Sequence, residues 1–495
     1  MAIPGIEDKS KLFIGGEWAD PDGSDRIEVI SPHTEQVIAS VPHANTTDVD
    51  RAVAAARDAF DNGAWSRTTQ EERADILDAL NGTLAARADD FAQCITAENG
   101  SPLIFSHLGQ VGATFMVVDY FAKLARTFEF EAERSGAIMA SSVVVQHAPV
   151  GVVGAIVPWN VPLFVTMFKV AAAIAAGCSV VLKPAPETPL DAYLLADALQ
   201  EAGLPAGAVN IVAAGREVGE HLVTHPDVDK IAFTGSTAAG KRIASLCGEQ
   251  LKRVTLELGG KSAAIILDDA DMQTTLDALL PLGTMNSGQA CVAQTRILAP
   301  RGMADAVAAG LAERAEAMKV GDPADMETEI GPMVAERQRD RVEKYLRQGE
   351  EEGAKVLCGG GRPAHMETGW YVEPTVFANV DNSMRIAQEE IFGPVLSVIA
   401  YDDVDDAVRI ANDSHYGLSG SVWGDPDVAE SVARRIRTGQ MNVNGFMLEP
   451  CAPFGGFKES GLGREGGPEG LGAYLEDKAI NSFHAGEGEV VAMGA

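Results

Sequence analysis

Cysteine is scarce in this chain: six in 495 residues, at positions 94, 178, 247, 291, 358 and 451, with no C-x-x-C pair. That spacing argues against a zinc or other metal site and against a disulfide scaffold, and it fits a reducing cytoplasm. Positive charge is scarce too. Lys and Arg total 39 against 71 Asp and Glu, a formal net charge of -32, with acids scattered from Asp8 to Glu489. A surface of that sign repels phosphate backbones and anionic lipid, so nucleic acid and membrane surfaces are poor partners and the excess reads as solubility. An unbroken hydrophobic span is missing as well. Residues 148–168 carry no charge, but Pro149, Pro158 and Pro162, with Gly151 and Gly154, would break a spanning helix, so strand, turn and buried helix are expected there. The first residues, with Glu7 and Asp8, lack the basic and apolar regions of a signal peptide.

What is present is ordinary globular material, 46% apolar and 22% charged. The chain is long enough that two or three structural units are expected. Helical periodicity over 48–60 and 70–88, with Asp48 and Thr69 as caps, predicts an N-terminal helical layer. From Val150, apolar strands (151–157, 179–184, 208–212, 230–235) alternate with helices (164–176, 190–202, 218–224), the pattern of a parallel, doubly wound sheet. A second α/β stretch runs over 261–461, with helices at 303–318 and 335–352 and strands at 355–357 and 395–399. Extended segments at 126–147 and from 478 onward fit neither pattern and suggest a bridging sheet that a partner subunit completes. The fold class expected is α/β, two doubly wound parallel-sheet domains plus a small bridging oligomerisation sheet.

Three positions are chemically suggestive. Cys291 follows the small, flexible run 286–290, although a lone cysteine is more often a buried apolar filler. Glu257 ends a strand and precedes Gly259 and Gly260, where an unpaired carboxylate needs a partner or a function. Asn160 closes another strand, where open parallel sheets place ligands, and its amide can donate to an oxyanion or merely cap a turn. Gly260-Lys261-Ser262 resembles the end of a phosphate-binding P-loop, but the first glycine of that motif would fall on Thr255.

Together the motifs PWN (158–160), KP (183–184), FTGSTAAG (233–240), LELGGK (256–261), GQAC (288–291), EEIFGPV (389–395) and PFGGFKESGLGRE (453–465) resemble the aldehyde dehydrogenase superfamily, in order and over nearly the whole chain. The resemblance implies residues 1–125 and 148–258 as a dinucleotide-binding domain, 259–461 as a catalytic domain, and 126–147 with 478–495 as oligomerisation segments. It implies Cys291 as nucleophile, Glu257 as general base, and Asn160 with the Cys291 N–H as oxyanion hole. Glu257 also separates this chain from coenzyme-A-acylating relatives and favours a free acid product. Lys169 and Glu476 are implied as proton-handling groups, with a structural ion pair as the alternative for each.

For the cofactor, the resemblance implies Ile156, Pro158, Trp159, Lys183, Gly215, Gly219, Phe233, Gly235, Ser236, Gly240, Leu258, Glu390 and Phe392. Gly235-Ser236 opens a helix and so offers N–H groups to a pyrophosphate. NAD is expected; NADP stays open because Pro186 stands where NAD-preferring relatives carry a Glu, with Glu187 next. The implied substrate lining is Val161, Val165, Phe168, Ala290, Val292, Met447, Leu448 and Phe454. No arginine among them can pair an acid group, and two aromatics are few for a quaternary-ammonium cage, so an uncharged aliphatic, terpenoid or aromatic aldehyde is expected. The partners expected are that small molecule and further copies of the chain, as homodimer or homotetramer. A cysteine-dependent acyl transferase or esterase without redox chemistry is the alternative, separated by nicotinamide dependence; a non-catalytic homologue fits poorly with Cys291, Glu257 and Asn160 all present.

Overall fold

The computed structural model describes residues 3–136 and 142–482. Two sheets organise it. The first has eight strands in the order Gly461–Leu462, Arg253–Glu257, Lys230–Thr234, Val152–Ile156, Ser179–Lys183, Val209–Ile211, Leu12–Ile14, Glu17–Ala19. Its five central strands are parallel. Val152–Ile156, Ser179–Lys183 and Lys230–Thr234 are buried at every position, as expected for strands covered on both faces, where runs such as VVGAI replace apolar/polar alternation. The helix Pro162–Ala176 supplies part of that cover; proline at its first position suits a helix start, and almost all its residues are buried.

Register brings the carboxyl ends of these strands level. Ile156 stands beside both Lys183 and Phe233, and Thr234 beside Glu257. From Val152–Ile156 the winding runs to Ser179–Lys183 on one side and to Lys230–Thr234 on the other, so the topological switch point falls between Ile156 and Phe233. A crevice opens at such a point in doubly wound sheets.

The second sheet has seven strands, ordered Lys355–Cys358, Thr375–Ala378, Val395–Tyr401, Arg296–Pro300, Ala263–Ile266, Gly420–Trp423, Asn442–Val443, with only the first pair antiparallel. A third, antiparallel sheet joins Leu475–Ser482, Ser142–Pro149 and Glu131–Ser135. The fold is therefore α/β with two doubly wound sheets and a small third one.

Several local expectations change. The first long helix is Thr46–Asp61, capped by Asn45, with Asp48 at the third helical position completing a capping box rather than serving as the cap itself. Thr69 caps the next helix in the same way with Glu72. The N-terminal region is not purely helical: Leu12–Ile14 and Glu17–Ala19 extend the first sheet, and Arg26–Ile30 pairs with Val37–Pro42. Arg126 and Thr127 finish the helix Ala113–Thr127 instead of starting an extended segment. The last strand begins at Leu475, three residues before the expected boundary. Residues 137–141 and 483–495 of the expected oligomerisation segments lie outside the described residues. Among the described residues no helix is long and apolar enough to cross a membrane.

Candidate active site

At the switch point a cavity of about 840 Å³ opens, walled by residues from both large sheets and their connections. Cys291, Glu257 and Asn160 all line it. Cys291 arrives on an irregular turn, Met285–Gly288, in which Asn286, Ser287 and Gly288 all take left-handed backbone angles, with φ of 51, 59 and 75°. Non-glycine residues held there cost about 1–3 kcal/mol each and persist only where surrounding bonds over-determine them. Those bonds are present. Asn286 Nδ2 donates to the Asn160 carbonyl at 2.8 Å, and Asn286 Oδ1 accepts from Ser101 Oγ at 2.5 Å. Ser287 Oγ accepts from the Gly331 N–H at 2.9 Å, and Gln289 Oε1 from the Val334 N–H at 3.0 Å. Asn160 is tied into the same network: its Nδ2 donates to the Gln289 carbonyl at 2.9 Å, and its own carbonyl also accepts from Asn99 Nδ2 at 3.1 Å. One amide hydrogen of Asn160 remains for a ligand, because an amide nitrogen carries two.

Gly288 is required by contact as well as conformation, since a Cβ there would stand 2.1 Å from the Gly393 carbonyl carbon. Gly288→Ala is therefore expected to displace the turn and lower stability by about 2–4 kcal/mol, read as a fall in Tm with loss of activity. An unchanged Tm with full activity would refute this account of the turn.

Glu257 ends the strand Arg253–Glu257, is buried, and leaves Oε1 without a hydrogen-bond partner. Burial first, and then the neighbouring Glu465, push its carboxyl up to about 8, opposed by Lys169 and by the nearby Cys291 thiol. Burial and the Glu257 carboxylate in turn raise the Cys291 thiol well above its ordinary value. A nucleophile and a base that face one cavity and act on each other's charge, both holding protons near neutrality, form a pair that works as protons are removed.

Lys169 is fully buried and donates to Glu465 Oε1 and Thr234 Oγ1, each at 2.6 Å. Glu476, expected to share proton handling, stands elsewhere. It lies on the partly exposed third sheet and accepts from Arg253 Nη2 at 3.0 Å. Glu465 lines the cavity in its place.

Of the residues expected around the cofactor, Pro158, Trp159, Gly235, Ser236, Leu258, Glu390 and Phe392 line the cavity, whereas Ile156, Lys183, Gly215, Gly219, Phe233 and Gly240 stand outside its lining. Of the latter, Phe233 and Gly240 touch lining residues, since a Cβ on Gly235 would come 2.6 Å from Phe233 Cζ. A Cβ on Gly219 would come 3.0 Å from Lys183 Cε, and one on Gly240 would come 2.5 Å from Leu258 Cδ2. Ser236 caps the helix Thr237–Gln250. Glu390 accepts from the Gly260 N–H at 3.0 Å, and burial lifts it to about 7. Gly259 admits that carboxylate, since a Cβ there would meet Glu390 Oε2 at 2.3 Å. Phe392 holds a φ of 65° and meets the Trp159 ring edge-to-face at 5.3 Å.

All eight expected substrate-lining residues face the cavity. Phe105, Leu108, Gly109, Ala113, Met116, Phe164, Met285 and Phe446 join them without having been anticipated. Half of these come from the π-helical turn Ser106–Gly112 and the following helix, where no sequence motif marks them. Leu108 and Met447 are more than half exposed, giving the opening an apolar rim.

Comparison with known proteins agrees with this arrangement. Residues 18–480 match the aldehyde dehydrogenase family. The chain is 47% identical to a geranial dehydrogenase of Castellaniella defragrans over 96% of this chain and 98% of that one. It is 42% identical to a 3-succinoylsemialdehyde-pyridine dehydrogenase of a Pseudomonas species, over 97% and 99%. Among solved structures, an aldehyde dehydrogenase of Mycobacterium tuberculosis complexed with NAD+ superposes with a TM-score of 0.94 at 48% identity, covering 96% of this chain and 98% of that one. A mutant of aldehyde dehydrogenase C from Pseudomonas syringae with NAD+ and octanal gives 0.92 at 44% identity, covering 95% and 96%. With matches of that identity over almost its full length, the chain belongs to the aldehyde dehydrogenase family.

Proposed function

We propose that this protein oxidises an uncharged, apolar aldehyde to the carboxylic acid with NAD, through a thioester on Cys291. The observation that carries this reading is that Cys291, Asn160 and a buried Glu257 whose Oε1 has no hydrogen-bond partner all line one largely apolar cavity. Cys291 adds to the aldehyde carbon as the thiolate. The oxyanion so formed takes hydrogen bonds from the free Asn160 amide hydrogen and the Cys291 N–H. Loss of a hydride from that oxyanion leaves the thioester; the Glu257 carboxylate, whose charged form Lys169 favours, then removes a proton from the water that hydrolyses it and is itself neutralised, and the buried Lys169–Glu465 pair beside it is placed to pass that proton on.

The residues present fit NAD, which supplies a hydride acceptor when bound. Gly235 and Ser236, at the start of Thr237–Gln250, would hold the pyrophosphate. Lys183 would hold the adenosine ribose, Glu390 the nicotinamide ribose, and Phe392 the ring. Glu187, beside Pro186, pairs with Arg337 and acts on the Lys183 charge; a carboxylate there disfavours a 2'-phosphate, which supports NAD over NADP.

The cavity supports the substrate class. Phe164 packs on Phe168 at 5.0 Å, and Phe168 on Phe454 at 6.4 Å, so a charged tail entering there would lose water against aromatic faces; of the charged residues elsewhere in the lining, Lys241 is engaged by Glu459, Glu465 by Lys169, and Arg341 by the Glu390 carbonyl. Geranial and octanal, named for two relatives, have the matching chemistry. Absorbance at 340 nm with geranial, octanal, benzaldehyde, succinic semialdehyde and betaine aldehyde, with NAD and NADP in parallel, tests the proposal. The uncharged aldehydes should lead by about 10²-fold or more in kcat/KM, with NAD preferred. Preference for either charged aldehyde would overturn the substrate class, and nicotinamide-independent thioester or ester cleavage without NADH would favour the acyl-transfer alternative.

The third sheet supports a homodimer or homotetramer. Every residue of Ser142–Pro149 is half-buried rather than core, as in a sheet awaiting cover from a second copy. Sedimentation at a single 52.0 kDa mass would exclude this.

A further inference from the structure

Immediately after the glycine pair that holds Glu390, the chain continues into Lys261, whose Nζ is buried without a hydrogen-bond partner among the described residues. Ser262 Oγ, Ser419 Oγ and Thr438 Oγ1 are buried and unpartnered in the same way. All four residues line one small cavity, which shares only Tyr416 with the lining of the active-site cavity, with Arg296 and Arg437 also on its wall. Its free space matches one water-sized occupant.

The charge there runs against the rest of the molecule. Two buried cationic side chains, Lys261 and Arg296, and no carboxylate residue line this cavity, with the exposed Arg437 at its wall, in a chain of net charge -32. Arg296 is held in place by neutral acceptors only: the Lys261, Ile410 and Ala411 carbonyls and Asn382 Oδ1, at 3.0 to 3.1 Å. The acids that act on these cations, Glu389 and Glu390 on Lys261 and Asp413 on Arg296, do so from outside the lining. Burial and Arg296 depress the Lys261 amine to about 7, the consequence of an ammonium without a facing counter-charge.

We propose that this cavity binds one small monovalent anion of the halide class, with Lys261 Nζ as its charge partner and the hydroxyls of Ser262, Ser419 and Thr438 as further donors. A water there would have to accept and donate in balance, whereas an ammonium only donates and hydroxyls can turn to do so; a group that only accepts satisfies all four at once. Charge separates the two occupants further, because water leaves the buried cations uncompensated. The anion would brace the strip between the base and Glu390. The Gly260 N–H holds Glu390, and a Cβ on Gly260 would stand 2.6 Å from the Cys291 carbonyl oxygen.

Crystals of the full chain soaked in sodium bromide, with anomalous data collected at the bromine edge, test the site directly. A peak inside the cavity of the wild-type protein that is absent from Lys261→Met is the expected result. In solution, exchanging sodium gluconate for sodium chloride at equal ionic strength should raise the wild-type Tm by about 2 °C or more beyond the change seen in Lys261→Met and in the milder Thr438→Val. Water without anomalous signal in the wild-type cavity overturns the proposal even if Lys261→Met fails to fold, and so does a bromide peak that persists undiminished in that variant.

Discussion

Cys291→Ala is expected to reduce aldehyde-dependent NADH formation by more than about 10³-fold in kcat/KM, because no other group on the cavity can take over the covalent step. The remaining cysteines do not line it. Cys94, Cys178, Cys247 and Cys358 are buried with their thiols raised by desolvation, and Cys451, though exposed, stands outside the cavity wall. The variant should fold: Cys291 is only half-buried, its neighbours Ala290 and Val292 are buried, and the turn before it is held by Asn286, Ser287 and Gln289 rather than by the thiol. NAD binding, followed by quenching of protein fluorescence, should therefore survive the loss of activity. Retention of a tenth or more of the wild-type rate, with the fold intact, would remove Cys291 from the chemistry.

The second large effect concerns Glu257. Glu257→Gln keeps the shape of the side chain and removes its basicity, so thioester formation should continue and its hydrolysis should stall. Rapid mixing is expected to show a first-turnover burst approaching one NADH per site, followed by a steady rate lower by about 10²–10⁴-fold. The pH dependence follows from the same group. Its carboxyl is pushed up to about 8 by burial and Glu465, so it is neutral below that pH and becomes a base above it. Wild-type steady-state turnover should rise with pH through about 8, and the glutamine variant should lack that rise. Glu390, lifted to about 7, also titrates on this cavity, and Cys291 titrates higher; the Glu257→Gln comparison isolates the base because both remain in the variant. A wild-type rate that is level from pH 6 to 9, or a variant without a burst, would assign the proton transfer to another group.

Much of the architecture was legible because its signals are local. A strand covered on both faces must be apolar at consecutive positions, so VVGAI and SVVLK declare parallel strands without reference to anything distant. The motifs around Cys291, Glu257 and Asn160 are equally compact, and the structure brings those three residues onto one cavity. Expectation and structure part where two equivalent residues compete at short range. Asn45 and Asp48 are both good capping residues, and only the path of the chain decides that Asn45 caps while Asp48 closes the box.

Residue type at short spacing was enough to give the class of fold and the family, and to single out the cysteine, carboxylate and amide that meet on one cavity. Tertiary structure alone decided which acid meets Lys169. Glu465 and Glu476 both lie near the C-terminus, but a buried ammonium requires a partner in contact, and that contact spans 296 positions of sequence. Packing likewise made the Ser106–Gly112 turn a wall of the substrate cavity and tied Asn99 and Ser101 to the turn that carries Cys291. It also gathered Lys261, Ser262, Ser419 and Thr438 around one enclosed space, since a buried polar group is defined by what surrounds it, and residues distant in the chain supply those surroundings.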